Sequence, residues 1–285
     1  MISSKTSFLA LIGNPIEHSL SPIMHNAALE FLGIDLVYLA LPCKDEDFNN
    51  VINALKKINC KGINLTIPYK EKVFNLCDEI SPIAKKIKSI NTLKLNSNGG
   101  WIGANTDVEG FSYPLEKLNL KNKNSIVLGS GGAARSAIQG LINLELSQIN
   151  IISRNKNSLN KLLSDFNDDL IKGFIQDDPN IPSIMNSSDL IVNTTPVGMK
   201  YLEDCYESLP FGEDFWDSLH SNTIVYDLIY NPRPTPLLKF CEKKGCKTID
   251  GVEMLVAQGA KSLSLWTEII DIPYDLMKKS LNEYL

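Results

Sequence analysis

Short apolar runs alternate with amphipathic stretches along almost the whole chain. Residues 7–12 are apolar over a strand's length and run into Gly13-Asn14-Pro15. Ser21-Pro22 reads as a helix start, with Ser as cap and Pro in the first turn, where its missing N–H is harmless. Met24, Ala27, Ala28 and Phe31 recur at helical spacing and predict one apolar face, which Gly33 closes. A strand at 36–41, a helix at 45–58 and a strand at 62–66 follow, and Pro68 opens a further helix. This βα rhythm predicts a mainly parallel sheet with helices on both faces.

The rhythm breaks between Asn91 and Asn105. Residues 91–95 and 100–103 read as two strands around the turn Asn96-Ser97-Asn98-Gly99, a hairpin. It then restarts with a helix over 107–118, a polar linker at 119–124 and a strand at 125–128, so a domain boundary is expected near 105–107. Residues 204–219 read as an irregular insertion with one short helix.

Composition narrows the class. The chain has 285 residues, 44% hydrophobic and 21% charged, which suits two globular domains or one large one and excludes a disordered chain. A net charge of −5 without a basic block argues against a nucleic-acid partner. No apolar run reaches the roughly 18 to 20 residues that cross a bilayer, so no membrane association and a cytoplasmic setting are expected. The six cysteines form no CxxC pair, and the three histidines show no metal-ligand spacing. Reduced thiols and no metal are expected.

Gly129-Ser130-Gly131-Gly132-Ala133-Ala134 leaves the strand at 125–128 and opens a helix, with the next strand at 148–153. A βαβ unit with this glycine pattern binds dinucleotides. Gly129 permits the tight turn, Gly131 lets the backbone approach a pyrophosphate, and the small Ala134 lets the helix pack closely. The backbone of Gly129, Ser130, Gly131, Gly132 and Ala133 then faces the phosphates from a helix N-terminus. After the second strand come Ser153, Arg154 and Asn155, with no acidic residue to bind ribose hydroxyls. A guanidinium at this position favours the 2′-phosphate of NADP.

Three polar clusters sit at strand ends, where ligands collect in open parallel sheets. They are residues 14–22, residues 64–71 and Asn105-Thr106-Asp107. Lys70 stands in the first turn of an expected helix, where the macrodipole disfavours a cation and so eases deprotonation, as a general base requires.

These segments together resemble the shikimate dehydrogenase family. The likeness rests on residues 13–22, 64–71, 90–92, 103–107, 129–134, 193–199, 226–230 and 250–258, in family order. It implies an N-terminal α/β substrate domain (1–106 and 251–285), a Rossmann-type NADP-binding domain (107–250) and C-terminal helices returning to the first domain. It implies NADP-dependent interconversion of shikimate and 3-dehydroshikimate, in the route to chorismate and aromatic amino acids. Lys70 would be the general acid/base, paired with Asp107. Ser19, Ser21 and Tyr230 match positions that hold the substrate carboxylate. Asn64, Thr66, Asn91 and Gln258 match positions around the ring hydroxyls, while Thr194, Leu228 and Gly251 join the cofactor set. The chain departs from the family pattern at Lys88-Ser89, Val108, Ser158 and Glu253, and Lys156 stands near the missing second cation. A quinate or dual-specificity dehydrogenase is the nearest alternative, and a non-catalytic NADP- or shikimate-sensing protein a distant one. A monomer or a homodimer is compatible with the sequence.

Overall fold

The computed structural model describes residues 2–58, 60–200 and 205–285. Contacts divide the chain into two compact units, Met1–Gly110 with Leu255–Tyr284, and Phe111–Met254. The boundaries expected at 106/107 and 250/251 each fall four residues early. Asp107 stays with the first unit because Asn91 and Lys70 hydrogen-bond its carboxylate. Gly251 stays with the second, its N–H donating to the Ile229 carbonyl at 3.1 Å.

The first unit is built from β1 (Ser7–Gly13), α1 (Ser21–Phe31), β2 (Leu36–Pro42), α2 (Phe48–Lys57), β3 (Gly62–Leu65), β4 (Glu79–Ile80), α3 (Pro82–Ile87), β5 (Thr92–Leu95), β6 (Trp101–Ala104) and α4, which begins at Asp107. The strands form one sheet in the order β2-β1-β3-β5-β6-β4. β1 pairs in parallel with β2 and β3, and β5 and β6 form the antiparallel hairpin. Ala10, Ile12, Ile63, Leu65 and Leu93 pack against Phe48, Ile52 and Leu55 of α2.

Two local expectations need correction. Leu20, not Ser21, caps α1; Ser21 and Pro22 are already helical. The buried face of α1 is Met24, His25, Ala28 and Leu29, while Phe31 is 70% exposed. The helix is turned because His25 stacks on Tyr38 of β2, ring centroids 4.2 Å apart. Burial pulls the His25 imidazole down to about 3, so it packs as a neutral ring. After Pro68 there is no α-helix: a turn carries Lys70 into a short 3₁₀ segment, Lys72–Leu76. Lys70 therefore does not sit in the first turn of an α-helix, and no α-helix macrodipole acts on it there.

The second unit contains β7 (Asn124–Leu128), α5 (Gly132–Asn143), β8 (Gln148–Ser153), α6 (Lys156–Phe166), β9 (Ile171–Ile175), α7 (Ile181–Asn186), β10 (Leu190–Asn193), β11 (Ile224–Asp227), α8 (Pro236–Lys243) and β12 (Lys247–Ile249). All pairings are parallel, in the order β12-β11-β10-β7-β8-β9. This is the doubly wound dinucleotide-binding order, with its switch point between β7 and β10. Strand residues alternate between two covered faces. Val127, Ile149, Ile151 and Val192 meet Ala134, Ala137, Ile138 and Leu141 of α5. Ile126, Leu128, Ile152 and Ile191 meet Trp216, Leu237 and Leu238. The insertion carries a 3₁₀ turn at Asp214–Trp216; Asp204 lies outside the described residues.

The chain ends with α9 (Val252–Thr267) and α10 (Tyr274–Lys279). From Leu255 onward they belong to the first unit. Trp266 anchors α9 there, its indole N–H donating to the Leu93 carbonyl at 2.9 Å. A Cβ on Gly62 would lie 2.1 Å from that ring nitrogen, so a glycine in β3 makes room for the indole. No helix among the described residues is long and apolar enough to cross a membrane.

Candidate active site

In the first unit the strand ends gather the ionisable pair. Lys70 Nζ lies 2.6 Å from Asp107 Oδ2, with the lysine side chain 18% exposed and the aspartate 6%. Asn91 holds the other carboxylate oxygen, and its orientation follows from elementary valence. The Thr106 backbone N–H can only donate, and it meets Asn91 Oδ1 at 2.8 Å. Asn91 Nδ2 must therefore face Asp107 Oδ1, at 2.8 Å. The Asn91 amide on one oxygen and Lys70 Nζ on the other fix the Asp107 carboxyl in direction.

Beneath this pair lies a buried set of hydroxyls and amides. Tyr38 donates its phenol proton to Asn64 Oδ1 at 2.8 Å. Asn64 Nδ2 then faces Thr92 Oγ1 at 3.1 Å and Ser262 Oγ at 3.0 Å. Both polar ends of the Asn64 amide are thus engaged inside the protein. Asn91 Nδ2 also reaches Thr106 Oγ1 at 2.9 Å.

The remaining expected substrate residues occupy the surrounding loops and α9. Ser19 Oγ accepts from the Ser21 N–H at 3.3 Å, at the start of α1. Two hydroxyls at the N-terminus of an 11-residue helix suit a carboxylate. Thr66 N–H donates to the Ile12 carbonyl at 3.0 Å, and its methyl lies over Gly13, where a Cβ would come within 2.2 Å. Gln258 is half-buried on α9 and folds back to the Leu255 carbonyl at 2.8 Å. Tyr230 belongs to the second unit and follows β11.

The glycine-rich turn links β7 to α5 in the second unit. Gly129 has φ +110°, a conformation that disfavours other residues, and a Cβ there would meet Thr194 Oγ1 at 2.7 Å. At Gly131 a Cβ would meet nothing within 4 Å, so the backbone at the start of α5 is open to a phosphate. Gly132 and Ala133 follow in the first turn. Ser130 Oγ lies 2.9 Å from Ser153 Oγ and 2.6 Å from Ser158 Oγ. Asn155 caps α6 with its side chain, accepting from the N–H groups of Asn157 and Ser158, while Arg154 is exposed beside it. Thr194 Oγ1 donates to the Leu128 carbonyl at 2.6 Å. Gly251 approaches Leu228 so closely that a Cβ would lie 2.1 Å from its carbonyl oxygen. An open helix N-terminus followed by an exposed guanidinium fits NADP.

Sequence reading missed Asp227. Fully buried at the end of β11, it accepts from Thr235 Oγ1 at 2.6 Å, Asn193 Nδ2 at 2.9 Å and the Ile229 N–H at 3.2 Å. It thereby joins the loops after β10 and β11. Burial pushes its carboxyl up to about 7, against the pull of these donors. Between its ordinary value near 3.8 and about 7, the folded chain keeps a proton that the unfolded chain releases. Stability therefore drains away as pH rises through that window. Asp227→Asn is expected to lack this slope in urea titrations from pH 4 to 8; an unchanged slope would contradict the assignment. It also missed Thr92, Tyr38 and Ser262, and named Thr106 only as a member of the polar cluster at 105–107. A buried hydroxyl leaves no periodic signal in sequence.

All six cysteines are free, and the described residues contain no cluster of three His, Cys, Asp or Glu that suits a metal. Residues 11–93 match the family model of the shikimate dehydrogenase substrate binding domain, and residues 251–281 that of the shikimate 5′-dehydrogenase C-terminal domain. The chain is 63% identical over 286 residues to the shikimate dehydrogenase (NADP(+)) of Prochlorococcus marinus subsp. pastoris, covering 100% of both. Its fold matches the shikimate dehydrogenase crystal structure from Aquifex aeolicus with a TM-score of 0.87 at 32% identity, over 99% of this chain and 100% of that one. It matches the Thermus thermophilus enzyme in complex with NADP(H) and shikimate with a TM-score of 0.83 at 30% identity, over 98% and 100%.

Proposed function

The chain belongs to the shikimate dehydrogenase family, and from that premise we propose that it interconverts shikimate and 3-dehydroshikimate with NADP, Lys70 moving the proton at the reacting oxygen. The observation that carries the residue assignment is the 2.6 Å pair between Lys70 and the buried, amide-held Asp107.

Reduction of a ketone leaves negative charge on oxygen, and that charge needs a proton as it develops. The Lys70 ammonium supplies it, and the Lys70 amine takes it back in the oxidising direction. Asp107 keeps Lys70 on station and balances its charge. Ser19, Ser21 and Tyr230 bind the substrate carboxylate. Asn64, Thr66, Asn91 and Gln258 meet ring hydroxyls. Tyr38 and the buried hydroxyls hold the Asn64 amide in place from beneath. The backbone of residues 129–133 takes the pyrophosphate, and Ser153, Arg154 and Asn155 border the 2′-phosphate. Thr194, Leu228 and Gly251 complete the cofactor walls. Bound NADP supplies the hydride chemistry. The family setting and acidic charge support small-molecule partners only, without nucleic acid or membrane, in the cytoplasm as a monomer or homodimer.

Absorbance at the NADPH band, with shikimate and NADP beside quinate and NAD, tests the reading. Turnover with shikimate and NADP alone is expected. A preference for quinate moves the chain to the quinate or dual-specificity branch, and no turnover from folded protein favours a sensor. Arg154→Ala is expected to raise KM for NADP about tenfold and leave NAD within about twofold. Equal losses would remove the arginine from 2′-phosphate recognition.

A further inference from the structure

Ser262 lies on α9 with no exposed surface. Its hydroxyl is 3.0 Å from Thr92 Oγ1 and 3.0 Å from Thr106 Oγ1, and those two are 3.2 Å apart. Three buried hydroxyls from β5, from the loop before α4 and from α9 thus meet at one point. None of them carries an assigned role.

Proton bookkeeping gives the cluster a direction. Asn91 Nδ2 donates into Thr106 Oγ1, so Thr106 must send its own proton elsewhere. The nearest acceptor outside the Asn91 amide is Ser262 Oγ. Ser262 in turn donates to the Gln258 carbonyl one turn back, at 3.0 Å, and receives Asn64 Nδ2. Thr92 donates to Asn91 Oδ1 at 3.0 Å. Every proton in the set then has an acceptor, and the chain of bonds runs without a gap. It passes from the α9 backbone through Ser262, Thr106 and Asn91 to the carboxylate of Asp107.

We infer that Ser262 is a positioning residue for the reaction. It clamps Thr106, through Thr106 the amide of Asn91, and through Asn91 the carboxylate that holds Lys70. The inference rests on the proposed role of the Lys70–Asp107 pair. Deleting the Ser262 hydroxyl takes away the 3.0 Å acceptor of Thr106, which keeps only the longer 3.3 Å contact to Asn91 Oδ1, and one of the acceptors of Asn64 Nδ2, so the grip on Asn91 loosens. A small misplacement of a proton-transfer group lowers kcat more than it weakens ground-state binding.

The test is a double-mutant cycle of Ser262→Ala and the near-isosteric Thr106→Val, read by shikimate oxidation and by NMR hydrogen exchange of the Asn91 side-chain amide. Ser262→Ala is expected to lower kcat about tenfold with KM within about twofold, and to speed exchange of the Asn91 amide protons. Ser262→Thr, which keeps the hydroxyl, should recover kcat to within about threefold. The double variant should be no slower than Thr106→Val alone, since both break one link. Additive losses, or a changed KM with kcat intact, would overturn the clamp. Should Ser262→Thr fail to fold, the cycle decides alone. Should the wild-type chain not oxidise shikimate, the proposed function fails, and the Asn91 exchange still decides the clamp: unaltered exchange in Ser262→Ala overturns it.

Discussion

Lys70→Ala is expected to slow shikimate oxidation about a thousandfold while shikimate still binds. General acid–base groups contribute on the order of 10²–10⁴ in rate, and no other described side chain is seen to pair with Asp107 as Lys70 does. The substitution also strands a buried carboxylate that keeps only the Asn91 amide on one oxygen. A lowered thermal midpoint should therefore accompany the lost rate. Calorimetric titration with shikimate separates binding from turnover, and added small primary amines should restore part of the rate in the variant alone. Turnover within about tenfold of wild type would remove Lys70 from the proton transfer.

The second large effect concerns the cofactor unit. Arg135 of α5 and Asp165 of α6 form a 2.7 Å ion pair whose side chains are 1% and 8% exposed. Removing one partner leaves the other charge in a medium that solvates it poorly, so Arg135→Met is expected to cost about 3–5 kcal/mol in urea unfolding. Because α5 begins at the phosphate-facing turn, NADP affinity should fall with it. Replacing both residues, Arg135→Met with Asp165→Leu, should recover most of the stability, since apolar packing substitutes well for a buried pair. A single variant within about 1 kcal/mol of wild type, or a double variant no better than the single one, would refute this account.

Legibility differed between the two units. The glycine turn of the second unit and its flanking strands were readable because each rests on local patterns: an apolar run, a glycine spacing, a second run; the strand order is not local and was implied only by the family resemblance. The hairpin at 92–104 was readable for the same reason, from two short runs around an Asn/Gly turn. Lys70 was found by motif, yet the local reason attached to it was wrong. A proline at 68 suggested a helix start, but the chain makes a turn and a 3₁₀ segment. What orients Lys70 is Asp107, 37 residues away. The face of α1 was misjudged likewise, because its four-residue spacing also fits Met24, His25, Ala28 and Leu29. The stacking of His25 on Tyr38 chooses between them.

The sequence by itself determined the alternation of elements, the phosphate-facing turn and the residue types at the strand ends. These follow from side-chain periodicity, from backbone freedom at glycine and from short-range turn chemistry, all of which act within a few residues. Only the tertiary structure decided which polar groups meet. Asn91, Thr106 and Asp107 acquire their partners from β5, the loop before α4 and α9, segments as many as 170 residues apart in Thr92 and Ser262. Hydrogen bonds are directional and short, so a buried hydroxyl's role is set by what lies within about 3 Å of it in space. That distance has no counterpart along the chain. The same holds for Asp227: its type and position are visible in sequence, but its proton is held by burial, which exists only once β11 has neighbours on both sides.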